Sequence, residues 1–322
     1  MTAPLVSILV PAYNAERWLG ETLASATGQT YANTEVVVVD DGSTDGTLEV
    51  ARAFEGPRVK VVSQDNAGLS GAQNRAFAES QGDYIQYLDA DDLLVPDKVE
   101  RQVRRLHGEP TTTIASGPWV RFEGEPPAPE DRPAPLADWR DHDRPERWLV
   151  ESWAHGGMFP SFSWLTPRPL IEAAGPWNEA IVREQDGEFF TRVLLGAERI
   201  AFCPGAWGFY RGGIPGSVSR RGGREVLGSV FEVVDLYDGH LQSVGDGPDV
   251  RRARAALWER FMYEAYAHDR SLARRAEDRA SALGGAGTRP SGGRAFDVIQ
   301  AVAGWKPAVR LQAAWYRVRY QR

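Results

Sequence analysis

Residues 89 to 92 read Asp-Ala-Asp-Asp, three carboxylates within four positions, directly after the apolar run Tyr84-Ile85-Gln86-Tyr87-Leu88. One of them is explained by capping the helix expected near Pro96, but two are left in mutual repulsion. Such a cluster calls for a cation. A hard divalent ion, Mg²⁺ or Mn²⁺, binds through one or two carboxylates, completes its shell with water and ligand phosphates, and would let an acidic edge hold a diphosphate. A second acidic stretch, Val-Asp-Asp-Gly-Ser-Thr-Asp-Gly-Thr at 39–47, places Asp41, Ser43, Asp45 and Gly46 like the start of a calcium loop. Position twelve of that loop would be Arg52 where a bidentate Glu is required, so calcium is excluded. Two readings stay open for it: a capped turn, and a carboxylate that accepts hydrogen bonds from a nucleotide base or ribose. A third stretch, Arg-Glu-Gln-Asp-Gly-Glu-Phe-Phe at 183–190, carries Glu184, Asp186 and Glu188. It reads either as an amphipathic helix with Phe189 and Phe190 inward, or as the source of a general base.

These residues need elements to position them. Short β-rich runs at 5–10, 35–39, 58–62 and 84–88 alternate with helical patterns at 16–28, 44–54, 70–80 and 96–107. Repeated β-α-β implies a largely parallel sheet with helices on both faces and ligands outside the carboxyl ends of the strands. Pro11-Ala12-Tyr13-Asn14, Asp40-Asp41-Gly42-Ser43 and Asp89-Ala90-Asp91-Asp92 all fall at such ends. A further strand is expected at 113–122, a proline-rich surface loop at 125–135, and helices from about 225, broken at 283–293. The expected organisation is therefore an α/β domain over 1–224 followed by a helical region over 225–322.

The totals narrow the chemistry. The chain has 322 residues, 42% hydrophobic and 25% charged, which is a globular composition. Its single cysteine, Cys203, and five histidines without paired spacing disfavour thiol and zinc chemistry. The net charge of -7 combines a basic tail, 15 Lys+Arg against 6 Asp+Glu over 251–322, with an acidic body, which argues against nucleic acid as ligand. No GxxxxGK[ST] loop is present, and the Gly-rich run 283–293 follows a helical region rather than a strand, so ATP motors and dinucleotide dehydrogenases are disfavoured. No apolar run approaches the roughly 18 residues of a spanning helix, and a cytoplasmic location is expected.

The succession VSILVPAYNAERWLGETLASATGQTY, EVVVVDDGSTDGT and NAGLSGAQNRAFAESQGDYIQYLDADDLLVP resembles the nucleotide-sugar-binding half of family 2 glycosyltransferases, closely over residues 4 to 110 and more loosely to about 220. The resemblance implies the α/β GT-A fold, a nucleoside diphosphate sugar donor, a hydroxyl acceptor on a glycan, a lipid-linked glycan or a small molecule, and inversion at the anomeric carbon. It implies that residues 1–110 bind nucleotide sugar and metal and 111–224 form the acceptor and catalytic part, that Pro11, Tyr13 and Asn14 surround the base, that Asp41 binds it, that Asn66, Gly68 and Asn74 line the donor, and that Asp91 holds the metal, with Asp89 helping to hold the ribose or the metal shell. It makes Asp186 the general base, with Glu188 in reserve and Glu184 third, and places Arg211 and Ser217 in a segment near the diphosphate. Gln73 stands where the family more often has Arg. Trp164 and Trp177, within a segment the resemblance puts beside sugar and acceptor, read as core residues or as sugar platforms. The last 18 residues carry five basic residues and no acid, interleaved with aromatics, and suit either an anionic membrane surface or a helix packed on the catalytic domain or in a homodimer. The Q-x-x-R-W motif of processive relatives is absent, favouring single-sugar addition. A nucleotidyltransferase and a catalytically inactive sugar-nucleotide or glycan-binding module are the competing expectations.

Overall fold

In the computed structural model, which describes residues 3–136, 138–157, 159–214, 224–290 and 292–320, the expected alternation opens the chain. Strand β1 (Val6–Ala12) is followed by α1 (Glu16–Thr27), β2 (Thr34–Asp40), α2 (Thr47–Arg52), β3 (Val59–Ser63), α3 (Gly68–Ala78), β4 (Tyr84–Tyr87), the two-residue β5 (Leu93–Leu94) and α4 (Lys98–Leu106). All seven residues of β1 are buried, as expected of a parallel strand covered on both faces. Its side chains Val6, Ile8 and Val10 pack with Val36 and Val38 of β2 and with Leu19 and Leu23 of α1.

Register decides where the polar ends fall. Ala12 pairs with Asp40, and Asp40 with Ser63, so β1, β2 and β3 finish level. On the other side of β1, Leu9 pairs with Tyr87, and continuing that parallel register sets Asp89 beside Pro11. The three polar turns therefore share one edge.

The expected strand over 113–122 is two strands in different sheets, β6 (Thr113–Ser116) and β7 (Trp119–Phe122). Gly117 and Pro118 make the break: a Cβ on Gly117 would collide with the Ala206 carbonyl oxygen, and Pro118 has no N–H for a ladder. After α5 (Pro145–His155) come β8 (Trp164–Pro167), α6 (Arg168–Ala174), α7 (Gln185–Gly196), β9 (Arg199–Phe202) and β10 (Gly208–Arg211). The large sheet runs β3-β2-β1-β4-β8-β6-β9, parallel except for β8, which is antiparallel to both neighbours. The small sheet runs β5-β10-β7.

Among the described residues five helices follow: α8 (Arg224–Val244), α9 (Pro248–Ala265), α10 (Arg270–Ala282), α11 (Arg294–Ala303) and α12 (Trp305–Tyr320). Two compact units result, residues 1–148 with 158–217, and 149–157 with 218–322. The inclusion of 149–157 in the helical unit departs from the expected single cut near 225. Its cause is local: Trp153 packs on Tyr237 at 4.5 Å between ring centroids, and Arg260 donates a hydrogen bond to the Trp153 carbonyl. Among the described residues no helix is long and apolar enough to cross a membrane.

Candidate active site

The turns after β1 and β2 are laced together by short polar side chains. Asn14 adopts a left-handed φ of 49°, donates its N–H to Ser43 Oγ at 3.0 Å, and accepts at Oδ1 from the Thr44 N–H at 2.8 Å. Ala15 N–H donates to Thr47 Oγ1 at 2.7 Å, and Gly46 N–H to Glu16 Oε2 at 3.0 Å. Asp41 is buried, and its Oδ1 accepts from Gln64 Nε2 at 2.7 Å and from the Ala67 N–H at 2.8 Å, while Asn66 Nδ2 donates to the Asp41 carbonyl at 2.9 Å. This convergence needs Gly42, whose φ is 71° and where a Cβ would stand 2.8 Å from the Asn66 nitrogen. Pro11, Tyr13, Asn14, Asp41, Asn66 and Gly68 thus belong to one laced edge, with Tyr13 47% exposed above it.

The acidic turn after β4 is held by partners that sequence reasoning missed. The Asp92 N–H donates to the Asp89 carbonyl at 3.1 Å and closes the turn, and Thr22 of α1 donates to the Ala90 carbonyl at 2.9 Å. Arg211, at the end of β10, does the rest. Its backbone N–H donates to Asp92 Oδ1 at 2.7 Å, its Nε to the Asp91 carbonyl at 2.8 Å, and its Nη2 to Glu21 Oε2 at 2.6 Å. The guanidinium lies over the rings of Trp18, at 4.5 Å, and Phe122, at 4.6 Å, and its side chain is 4% exposed. Trp18, Glu21 and Thr22 sit at helical spacing on α1, a pattern visible in the sequence, but nothing in the sequence says that Arg211 arrives there. Ser217, the other residue expected near the diphosphate, lies outside the described residues.

Electrostatics link this turn to α7. Burial pushes the Asp89 carboxyl up to about 7, with added repulsion from Asp91 and then Asp186. Asp91 and Asp92 are also raised, first by burial, and Arg211 partly offsets the effect on both. Asp186, in the first turn of α7, is raised by burial, against backbone hydrogen bonds that favour its charged form. Glu184 precedes it with a left-handed φ of 69°. Glu188 is buried and held at both oxygens by Arg192, at 2.7 Å from Nε and 2.9 Å from Nη2. Arg192 also donates to the Ala174 and Pro176 carbonyls, which makes it a brace for the chain before Trp177.

Asn74 of α3 turns toward that same chain: Oδ1 accepts from the Trp177 N–H at 2.8 Å, and Nδ2 donates to the Trp177 carbonyl at 3.0 Å and to Glu179 Oε1 at 2.8 Å. Asn74, Pro176 to Glu179, Glu188 and Arg192 line an open depression of about 470 Å³. Trp164 and Trp177 are core residues, 1% and 3% exposed, and Trp177 stacks on Phe189 at 4.1 Å. Gln73 is buried too, with Oε1 unpartnered.

The acidic turn suits a hard divalent cation. Its donors are carboxylate oxygens, their charges repel one another, and Asp92 Oδ2 is buried without a hydrogen-bond partner. Among the described residues no three His, Cys, Asp or Glu side chains form a ready-made cage. An ion held by one or two carboxylates and completed by a ligand's phosphates needs none.

A mainly parallel sheet with its loops gathered over one acidic edge defines a GT-A-type catalytic unit. The sequence profile of the family described as "Glycosyl transferase family 2" matches residues 7–172, and the chain belongs to that family. Residues of this chain are 46% identical over 99 positions to the chondroitin synthase of Pasteurella multocida, a match covering 30% of this chain. The chain spans about a tenth of the length of that enzyme and of the similar hyaluronan synthase. Among solved structures, residues 1–349 of TarS of S. aureus superpose with a TM-score of 0.61 at 18% identity, covering 99% of this chain and 93% of that one. The mannosyltransferase PcManGT of Pyrobaculum calidifontis, solved with GDP-Man and Mn2+, gives 0.55 at 21% identity, covering 99% and 88%.

Proposed function

We propose that the chain transfers one sugar from a nucleoside diphosphate sugar to an acceptor hydroxyl, with inversion. The observation that carries this reading is the packing of α7 on the end of β4, where Tyr87 meets the rings of Phe189 and Phe190 at 5.7 and 6.2 Å, which sets the first turn of α7 with Asp186 toward the acidic turn that follows β4. A carboxylate beside a diphosphate-and-metal edge is what a single displacement requires. The acceptor oxygen bonds to the anomeric carbon as the bond from that carbon to the diphosphate oxygen breaks. The acceptor proton passes to Asp186, and the bonding electron pair leaves with the diphosphate. Asp186 suits the role because burial raises its basicity and because, among the described residues, it forms no ion pair, whereas Glu188 is committed to Arg192.

Asp91, with Asp89, would hold Mg²⁺ or Mn²⁺, which supplies charge stabilisation for the departing diphosphate. The laced edge of Tyr13, Asn14, Asp41 and Asn66 receives base and ribose, and Gly68, whose absent Cβ faces open space, lets a donor approach the start of α3. Arg211 acts in this scheme as a positioning residue for the turn, since its Nε and Nη2 already have acceptors. TarS, solved with UDP-GlcNAc and with UDP, supports a nucleotide-sugar donor, and PcManGT a metal. A cytoplasmic site of action fits this donor class. A nucleotidyltransferase finds no support, for want of a basic Gly-rich loop after β1.

The test is release of free nucleoside diphosphate from a panel of nucleotide sugars with Mn²⁺ and acceptor. Asp186→Asn should keep donor affinity while turnover falls about 10² to 10⁴-fold. Loss of donor binding in that variant would make Asp186 structural. Pyrophosphate from a nucleoside triphosphate plus sugar phosphate would replace the reading altogether.

A further inference from the structure

The two last helices of the helical unit are half finished as packing elements. Phe296 of α11 and Ala308 and Val309 of α12 are buried together, with Ile299, Trp305 and Tyr266 packed against them. Trp305 meets the rings of Tyr263 and Tyr266 at 4.9 Å each, so the start of α12 is fastened to α9 and the residue just after it. The outer sides of both helices are different. On α11, Val298 and Val302, one turn apart, are 63% and 84% exposed, with Ala295 and Ala301 exposed on either side of them. On α12, Leu311 and Trp315, also one turn apart, are 55% and 50% exposed, with Ala314 exposed between them. Single exposed apolar residues are ordinary, but an exposed i, i+4 apolar pair on each of two consecutive helices is surface that water does not favour.

Charge decides what covers it. Lys306 and Arg310, again one turn apart, are exposed on α12, and their cationic heads lie 5.8 and 5.4 Å from the centre of the Tyr266 ring. Asp297 is the last acidic residue of the sequence, and Lys306, Arg310, Arg317, Arg319 and Arg322 all follow it. A basic stripe beside apolar stripes complements a surface that is anionic outside and apolar a few ångströms below.

We infer that the outer faces of α11 and α12 dock shallowly on an anionic lipid bilayer, with Val298, Val302, Leu311 and Trp315 entering the headgroup boundary and Lys306 and Arg310 meeting lipid phosphates. A second copy of the chain is the less suitable occupant, because the basic stripes of two copies facing each other would repel. The inference is independent of the catalytic reading.

Flotation of the full chain with vesicles tests it. Vesicles containing about 30 mol% phosphatidylglycerol in phosphatidylcholine should carry the protein upward, and vesicles of phosphatidylcholine alone, or about 0.5 M NaCl, should release it. The double variant Val298→Asp with Val302→Asp, at positions too exposed to threaten folding, should weaken binding about tenfold or more with an unchanged circular dichroism spectrum. Lys306→Gln with Arg310→Gln should weaken it by roughly tenfold as well. Absence of flotation by the wild type, or binding indifferent to both double variants, overturns the inference. So does a dimer in solution, seen by sedimentation, that the Val298 and Val302 substitutions dissociate.

Discussion

Asn14 sits in backbone space that costs most side chains roughly 1–2 kcal/mol, and the cost is offset locally by bonds to Ser43 and Thr44. Asn14→Ala should therefore destabilise the protein by about 2 kcal/mol in denaturant titrations, from the backbone conformation and the lost acceptor together. It should raise the donor KM more than it lowers kcat, because the turns after β1 and β2 would part. Asn14→Gly should recover the backbone share of the stability but not the donor KM. Arg211 is the other residue whose role its neighbours define. Arg211→Met and Glu21→Gln should both speed hydrogen exchange at residues 89–94 in the ligand-free protein, and Arg211→Lys should correct the first only in part, since an ammonium cannot reproduce the planar fork. Unchanged exchange with weakened nucleoside diphosphate binding would return Arg211 to direct donor contact. From the sequence, the cluster at 89–92 stands out because adjacent carboxylates repel, whereas the choice of Asp91 and Asp186 within their motifs rests on the resemblance to the family. The resemblance makes Arg211 a donor contact, and the sequence gives no sign that Glu21, Trp18 and Phe122 surround it.

At the scale of elements, the first four strands and the helices between them were legible because each obeys its own period and ends on turn residues. The rest depended on contacts between distant segments. Gly117 and Pro118 divide what reads as one strand because of the Ala206 carbonyl, which lies far along the chain. The attachment of α4 is another such contact. Lys98 is fully buried and donates to Gln86 Oε1 of β4 at 2.7 Å and to Gln102 Oε1 at 2.6 Å, while Gln86 and Gln102 donate onward to the carbonyls of Phe162 and Ser163. Burial brings the Lys98 amine down from 10.5 to about 7. Between those values the unfolded chain binds more protons than the folded one, so this group makes stability rise with pH above about 7 and fall again as pH drops from 10.5 to about 7. Between pH 7 and 9 the rise should be about 2–3 kcal/mol, and Lys98→Met should flatten it, as read from denaturant midpoints at each pH. A wild-type slope retained in the variant would assign the effect to another group.

At the scale of the molecule, the chain folds as two units with separate cores, and every residue assigned to the donor edge belongs to the first. A ligand that binds only the native first unit stabilises that unit by mass action, by about 2.7 kcal/mol at a hundred times its dissociation constant. The second unit has its own anchors, among them the buried Arg254–Asp238 pair and the Phe231–Trp258 contact at 5.0 Å, and none of them comes from the donor edge. A matching nucleoside diphosphate sugar with Mn²⁺ should therefore slow hydrogen exchange at residues 12–16, 40–47, 63–68 and 88–93, and leave α9 and α10 unchanged. The converse holds for lipid: vesicles should protect residues 294–315 without touching the four donor segments. Protection of α9 and α10 by nucleotide alone would mean that the donor site draws on residues of the helical unit, and the acceptor side of the reaction would then have to be sought there.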